Sequence, residues 1–225
     1  MKAVLAAGAL ALSACAGGGT PPPAAWVHPS VYQRQLEGET VVVLPVGGVT
    51  MTDAAVPSDS GAAALAWRAG EAIATALETG GAAGLAVRPV RAAIVLGAMS
   101  ESQVDSLYAP LTPAALEAGG EITGPPAAEW REVADRTEQR FVLVPRSLRI
   151  ARLEPLRVRA DVDAWLVDAA AALVLWHAVV TAVNPHAPSG AAADVYEAAL
   201  EDAIDSVAAT LADRLARVAR TGRDD

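Results

Sequence analysis

Apolar and polar positions along this chain follow two rhythms, one with a period of two and one near 3.6, and together they sketch an α/β protein. Val41-Val42-Val43-Leu44-Pro45-Val46 is a continuous, mostly β-branched run ending at Gly47-Gly48, the pattern of a strand buried on both faces. A polar loop follows from Thr50 to Ser60, where Asp59 or Ser60 can cap a helix. Leu65, Ala69, Ile73 and Leu77 then recur at helical spacing until Gly80-Gly81 stops it. Leu85 to Val90 reads as a second strand, with Ala92 to Leu96 either its continuation or a short helix. Residues 97–126 show weaker periodicity: helical pieces near Ser102–Leu107 and Pro113–Ala118, separated by Pro- and Gly-rich turns. A helix from Pro125 to about Gln139 opens on proline, where the missing amide costs nothing, and feeds Phe141-Val142-Leu143-Val144, a third strand.

Two long strands come next. Val158, Ala160, Val162, Ala164 and Leu166 face one way, while Arg157, Arg159, Asp161, Asp163 and Trp165 face the other, so this strand has one buried and one wetter face. Leu173 to Val183 is apolar on both sides except for His177 and Thr181, and Asp168 with the short alanine stretch between the strands forms a hairpin turn. Leu200, Ile204, Val207, Leu211, Leu215 and Val218 form one apolar helical stripe, with an acidic start and an arginine-rich end that suit the helix dipole. The expected architecture is α/β (α+β): a single domain over 40–220, with a mixed sheet of about five strands, helices packed on it and a long C-terminal helix, followed by a disordered tail at 221–225.

The front of the chain follows a different rule. Lys2 is followed by an apolar run from Ala3 to Ala14, too short to span a bilayer but right for a secretory signal. The run closes on Leu12-Ser13-Ala14-Cys15, and Cys15 is the only cysteine in the chain. Leu12-Ser13-Ala14-Cys15 resembles the lipobox of bacterial lipoproteins. That resemblance implies a signal peptide at 1–14, cleavage before Cys15 and lipid attachment to its thiol. An ordinary small-residue site, cut after Ala16 to release a soluble product, is the other reading. Ala16, where an aspartate would stand for inner-membrane retention, resembles the pattern for outer-membrane delivery, with the protein on the periplasmic face in a diderm bacterium. Residues 15–39, with Gly17-Gly18-Gly19 and Pro21-Pro22-Pro23, read as a tether in which Trp26, Val27 and Tyr32 either touch the domain or stay unstructured.

Composition narrows the partners. Removing the signal leaves about 210 residues, enough for one full core. The formal charge is −9, and the chain after Cys15 holds no lysine, only arginine. An acidic protein gains little from counterion release, so no nucleic acid is expected as a partner; anionic lipid would repel it, leaving the acyl group as the membrane contact.

Three local patterns carry a further resemblance. Val41 to Val46 is similar to an opening V-x-V-L-P-x strand. Arg140 to Val144 is similar to the strand that follows a helix. Val162 to Trp176 is similar to a hairpin with aspartate at its turn and tryptophan at its end. These recur in bacterial envelope proteins: the TolB amino-terminal domain, the CsgG curli-secretion lipoprotein and lipoprotein activators of peptidoglycan synthases. The resemblance spans roughly Thr40 to Val218. The pattern's turn glycine is replaced by alanine, and Glu138-Gln139-Arg140 stands where small residues are usual. Asp168 is expected to accept backbone hydrogen bonds in the turn, and Trp176 to pack. A pore of the CsgG kind needs a lipid-facing side that these charged and core-like hairpin strands do not offer.

Motifs for catalysis or metal binding are absent. His28, His177 and His186 have no second histidine three or four positions away, and there is no H-E-x-x-H, G-x-S-x-G, G-x-x-x-x-G-K-[ST] or G-x-G-x-x-G. Gly47-Gly48 fails as a phosphate loop for want of a lysine. His177 is expected to be a core histidine satisfied by a backbone carbonyl. Asp161 and Asp163 share a strand face with Arg157 and Arg159, which offers ion pairs on a solvated face. No catalytic residue, cofactor or metal is therefore expected. The leading expectation is a membrane-anchored, non-enzymatic accessory protein with an envelope protein partner. A small-molecule or glycan binder with a pocket beside residues 97–126, and a hydrolase of unrecognised type, are the alternatives.

Overall fold

The computed structural model describes residues 25–31, 36, 39–52, 59–79, 99, 101–154, 157–185 and 192–224. In chain order the elements are β1 (Ala25–Val27), β2 (Val41–Val43), β3 (Val49–Thr52), α1 (Asp59–Thr79), α2 (Glu101–Tyr108), α3 (Pro113–Glu117), α4 (Pro125–Thr137), β4 (Phe141–Glu154), β5 (Arg157–Asp168), β6 (Leu173–Val183) and α5 (Ala192–Thr221). The signal and lipidation residues Leu12, Ser13, Ala14 and Cys15 lie outside the described residues, as do Leu85 to Val90, Ala92 to Leu96 and His186.

The six strands make one mixed sheet in the order β1-β6-β5-β4-β2, with β3 also on β4. β4 is the spine. β5 runs antiparallel along it, β2 lies parallel to its start with Val41 opposite Phe141, and β3 lies parallel to its later part with Val49 opposite Leu148. One face of the sheet packs on α1 and α5. Ala69, Ile73 and Leu77 of α1, and the whole predicted stripe of α5 from Leu200 to Val218, are buried there against Val158, Val162 and Leu166. The other face holds a second core, where Leu107, Leu111, Leu116, Ile122, Trp130 and Val133 cover Val142, Val144, Trp165 and Val167.

Three segments depart from the sequence pattern. The third strand does not end at Val144 but runs through Pro145 to Glu154. The pairing register shifts between Pro145 and Ser147, so the proline sits at an irregularity where no ladder donor is demanded. The loop expected from Thr50 begins inside a strand, because Val49–Thr52 supplies backbone partners for the outer edge of that extended β4. Ala25–Val27, within the expected tether, forms an edge strand on β6 with Trp26 opposite His177. The contact reading for Trp26 and Val27 is the one the structure shows.

The tail is fixed as well. Asp224, expected to be disordered, accepts from Trp176 Nε1 at 2.6 Å and from Arg214 Nε at 2.5 Å, which holds the end of the chain against the first core. Trp176 is fully buried, the packing role expected of it.

The hairpin turn keeps its expected geometry without its expected glycine. Asp168 Oδ1 accepts from the Ala171 amide at 3.0 Å, and its other oxygen accepts from Arg140 Nε at 2.8 Å. Arg140 thus explains why the helix-to-strand junction departs from small residues: it clamps the start of β4 to the end of β5. Ala172 adopts φ 53, the left-handed conformation that glycine takes without cost. Ala172→Gly should leave stability within about 1 kcal/mol, since relief of strain offsets the lost methyl and the added chain entropy. Ala172→Val, β-branched at a buried left-handed position, should cost at least ~2 kcal/mol. Urea denaturation of the three proteins measures both, and equal losses for the two substitutions would contradict the argument.

Candidate functional site

Titratable side chains gather where the covered part of the second sheet face meets its uncovered part. Alternation along β5 places Arg157, Arg159, Asp161, Asp163 and Trp165 on this face, as the sequence pattern predicts. Cross-strand pairing sets Ser147 and Arg149 of β4 on one side of Asp163 and Asp161, and Val179 and Thr181 of β6 on the other. Trp165 lies under the second core, whereas Asp161 and Thr181 lie on the uncovered part.

Asp163 is the hub. Its Oδ1 accepts from Trp165 Nε1 and from His177 Nε2, each at 2.8 Å, and Arg146 Nη1 lies 3.6 Å from Oδ2. The Trp165 and His177 rings pack with centroids 4.1 Å apart. A carboxylate oxygen only accepts, so the proton of this bond sits on His177 Nε2. His177 is 3% exposed, and its Nδ1 has no hydrogen-bond partner. The structure therefore corrects one expectation: His177 is a core histidine, but a side-chain carboxylate satisfies it rather than a backbone carbonyl. Trp165 is the residue directly opposite, and Asp163, two positions along the same face of β5, supplies the acceptor.

The charge pairs are also redistributed. Arg159 Nε lies 3.2 Å from Asp161 Oδ2, an ion pair without hydrogen-bond alignment, and Thr181 donates to Asp161 Oδ1 at 2.7 Å. Arg157 stands opposite Glu154 at the far end of the hairpin. Arg146, which the sequence pattern did not single out, takes the second place beside Asp163. Its signal was in the sequence as a basic residue just after an apolar run, hidden by the proline before it.

Asp163 accepts two hydrogen bonds and faces Arg146 at ion-pair distance, while His177 Nδ1 is left without a hydrogen bond. The only other imidazole among the described residues, His28, bonds Ser30 in the first turn after β1. No group of three His, Cys, Asp or Glu side chains among the described residues is placed to hold a metal. Gly47 has a packing role: a Cβ there would lie 2.8 Å from both the Arg146 carbonyl and the Tyr108 ring. Tyr108 in turn donates to the Pro45 carbonyl at 3.0 Å, and burial pushes its phenol well above the ordinary range. Residues 97–126, imagined as the flank of a pocket, put Leu107, Leu111, Leu116 and Ile122 into the second core instead. An open groove of about 360 Å³ lies elsewhere, between α1 and α5, lined by Arg68, Glu71, Ala72, Thr75, Ala76, Thr79 and Asp205.

No family model and no curated protein matches the chain. Solved structures similar to it include lipoproteins. The PelC dodecamer from Paraburkholderia phytofirmans is 16% identical, over 81% of this chain and 95% of that one, with a TM-score of 0.36. Lipoprotein GNA1162 from Neisseria meningitidis is 17% identical, over 68% and 85%, with a TM-score of 0.35. The LpoB C-terminal domain from Salmonella enterica is 11% identical, over 69% and 87%, with a TM-score of 0.31. At these values no residue-level correspondence is drawn.

Asp163→Ala should destabilise the domain by about 2–4 kcal/mol, because it strands the buried Trp165 and His177 donors together. Asp163→Asn, which keeps an acceptor oxygen, should recover at least half of that loss in thermal unfolding. A pair of variants with unchanged melting temperatures would remove Asp163 as the hub.

Proposed function

We propose that the chain is a bacterial envelope lipoprotein, anchored through acyl groups on Cys15, whose α/β domain serves as a non-enzymatic accessory or interaction protein of an envelope complex. The carrying observation is Leu12-Ser13-Ala14-Cys15 at the end of a short apolar run, with the only cysteine of the chain at the acylation position. The domain suits such an anchor: no helix among the described residues is long and apolar enough to cross a membrane. In the polar cluster on the sheet, Asp161 and Asp163 are engaged by neighbouring side chains, which supports a presenting surface. The motifs that resemble those of the TolB amino-terminal domain and CsgG support the same class of role.

The anchor also limits where the domain works. The ten residues from Cys15 to Ala25 reach at most about 35 Å when extended, so the sheet edge at β1 stays near the bilayer. Two or three acyl chains, at ~0.8 kcal/mol per buried methylene, hold a domain of this size without help from its negative charge. With Ala16 after the cysteine, the proposed address is the periplasmic face of an outer membrane in a diderm cell.

Intact mass of protein extracted from its native membrane should show a chain beginning at Cys15 and carrying lipid mass, and the Cys15→Ala variant should carry none. Native material that begins at Gly17 without an adduct would overturn the address. Gentle detergent extracts should yield an envelope protein with the native chain and not with Cys15→Ala. Recovery of the same set with both would overturn the anchored accessory role while leaving the domain's structure untouched.

A further inference from the structure

We propose that the segment following α5 is a latch on β1: Asp224, seated against β6, sets how firmly β1 is held on the sheet. The latch itself does not rest on the lipid anchor; its consequence for an anchored chain rests on the function proposed above.

β1 is a short strand with few supports. Its three residues, Ala25, Trp26 and Val27, are all half-buried, and among the described residues they pair with β6 alone, at Ala178, His177 and Trp176. One further backbone bond, from the His28 amide to the Leu175 carbonyl at 2.8 Å, continues the ladder. Ala25 and Val27 pack on the first core, and directly opposite neighbours in an antiparallel pair bring their Cβ atoms within about 5 Å. The side chain beside Val27 is therefore the indole of Trp176.

The latch grips the same stretch of β6. Gly222, at φ 67, donates its amide to the Val218 carbonyl at 2.8 Å and turns the chain back at the end of α5. Asp224 thereby meets Arg214, about two turns before the helix ends, and its side chain is only 2% exposed. Asp224 Oδ2 accepts from the Trp176 indole, while Arg214, donating to Oδ1 through Nε, also donates from Nη1 to the Val179 carbonyl at 3.4 Å. β1 pairs with Trp176 to Ala178. The latch thus takes hold at one end of that stretch and at the residue just past the other, and ties both to α5.

Removing the carboxylate strands the N–H of a fully buried indole. That cost falls first on the element with the fewest partners. β5 is paired along its length with β4 on one side and β6 on the other, whereas Val27 has Trp176 as its cross-strand support. In an anchored chain β1 is where the tether meets the domain. Its release would add at least Ala25 to Val27 to the tether, a gain in reach of about 10 Å.

Peptide-resolved hydrogen exchange of the full chain in mild detergent tests the latch. Asp224→Ala should speed exchange over residues 25–28 by about tenfold or more, and over the β4–β5 hairpin, residues 141–168, by less than about twofold. Asp224→Asn, which keeps an acceptor oxygen for the indole, should give a smaller rise with the same selectivity. The native chain in urea, at a concentration that lowers global stability as much as Asp224→Ala does, should not reproduce the selective rise. Exchange at 25–28 that is unchanged by Asp224→Ala, or raised by the same factor as the hairpin, overturns the proposal. If Asp224→Ala does not fold, Asp224→Asn is held to the same comparison. Cys15→Ala should show the native pattern, so failure of the latch and failure of the anchor are read separately.

Discussion

The length mismatch between β4 and the helices on either side of it governs this molecule. Fourteen extended residues span about 46 Å. On the first face, the thirty residues of α5 reach about 45 Å and the twenty-one of α1 about 30 Å, so the sheet is covered from end to end. On the second face, the longest described helix, α4, has thirteen residues and reaches only about 20 Å. Among the described residues, half of that face has no helix to pack on, and exposed side chains such as Arg149, Val179 and Thr181 lie there. The strands follow this division residue by residue. Phe141 to Val144 are buried on both sides, whereas Leu148 is buried between half-buried Ser147 and exposed Arg149. The alternation along β5 is the same constraint read on the next strand.

The polar cluster lies on the line where covered and uncovered sheet meet, and that position explains its chemistry. Trp165 and His177 are large enough to fill the edge of the second core, but each brings an N–H that cannot go unpaired in a dry place. Asp163, its side chain still 20% exposed, accepts both without the full penalty of burying a charge, and Arg146 reaches over from the β4 irregularity to balance it. The same device recurs at two other seams. Arg140 with the buried Asp168 joins the start of β4 to the hairpin, and Arg214 with Asp224 joins the end of the chain to α5. In a protein with arginine in place of lysine everywhere after Lys2, the forked guanidinium closes three separate edges of the fold.

Much of this was legible, and the failures have particular causes. The α5 stripe and the alternation of β5 are local periodicities, and both were readable because one face of each is buried for its whole length. β3 is four residues of Val-Thr-Met-Thr whose existence depends on a spine about one hundred residues away, which no local pattern reports. The second half of β4 was hidden by Pro145 and by arginines that look like loop residues until the face they occupy is known to be uncovered. The site failed for a subtler reason. From the turn at Asp168 and Leu173, regular pairing would set Asp163 opposite Ala178. Instead the register shifts between Leu166 and Val167, leaving Leu175 without an opposite residue, and Trp165 meets His177. One extra residue decides which side chains form the hub.

The entry of the chain into the sheet connects the fold to the proposed anchor. β1 runs antiparallel to β6 with Ala25 opposite Ala178 and Val27 opposite Trp176, so the amino end of β1 is the end nearer Val179. Trp26 is held there by close approach to Gly120, where a Cβ would lie 2.9 Å from both the indole ring and the Val174 carbonyl, at a φ of 82 that favours glycine. The residues that would continue the pairing are Pro21-Pro22-Pro23, which have no amide to donate to the β6 edge. An anchored chain of this design would fix β1 firmly, release the tether beside the arginine-bearing half of the sheet, and leave the helical face turned away from the point of attachment.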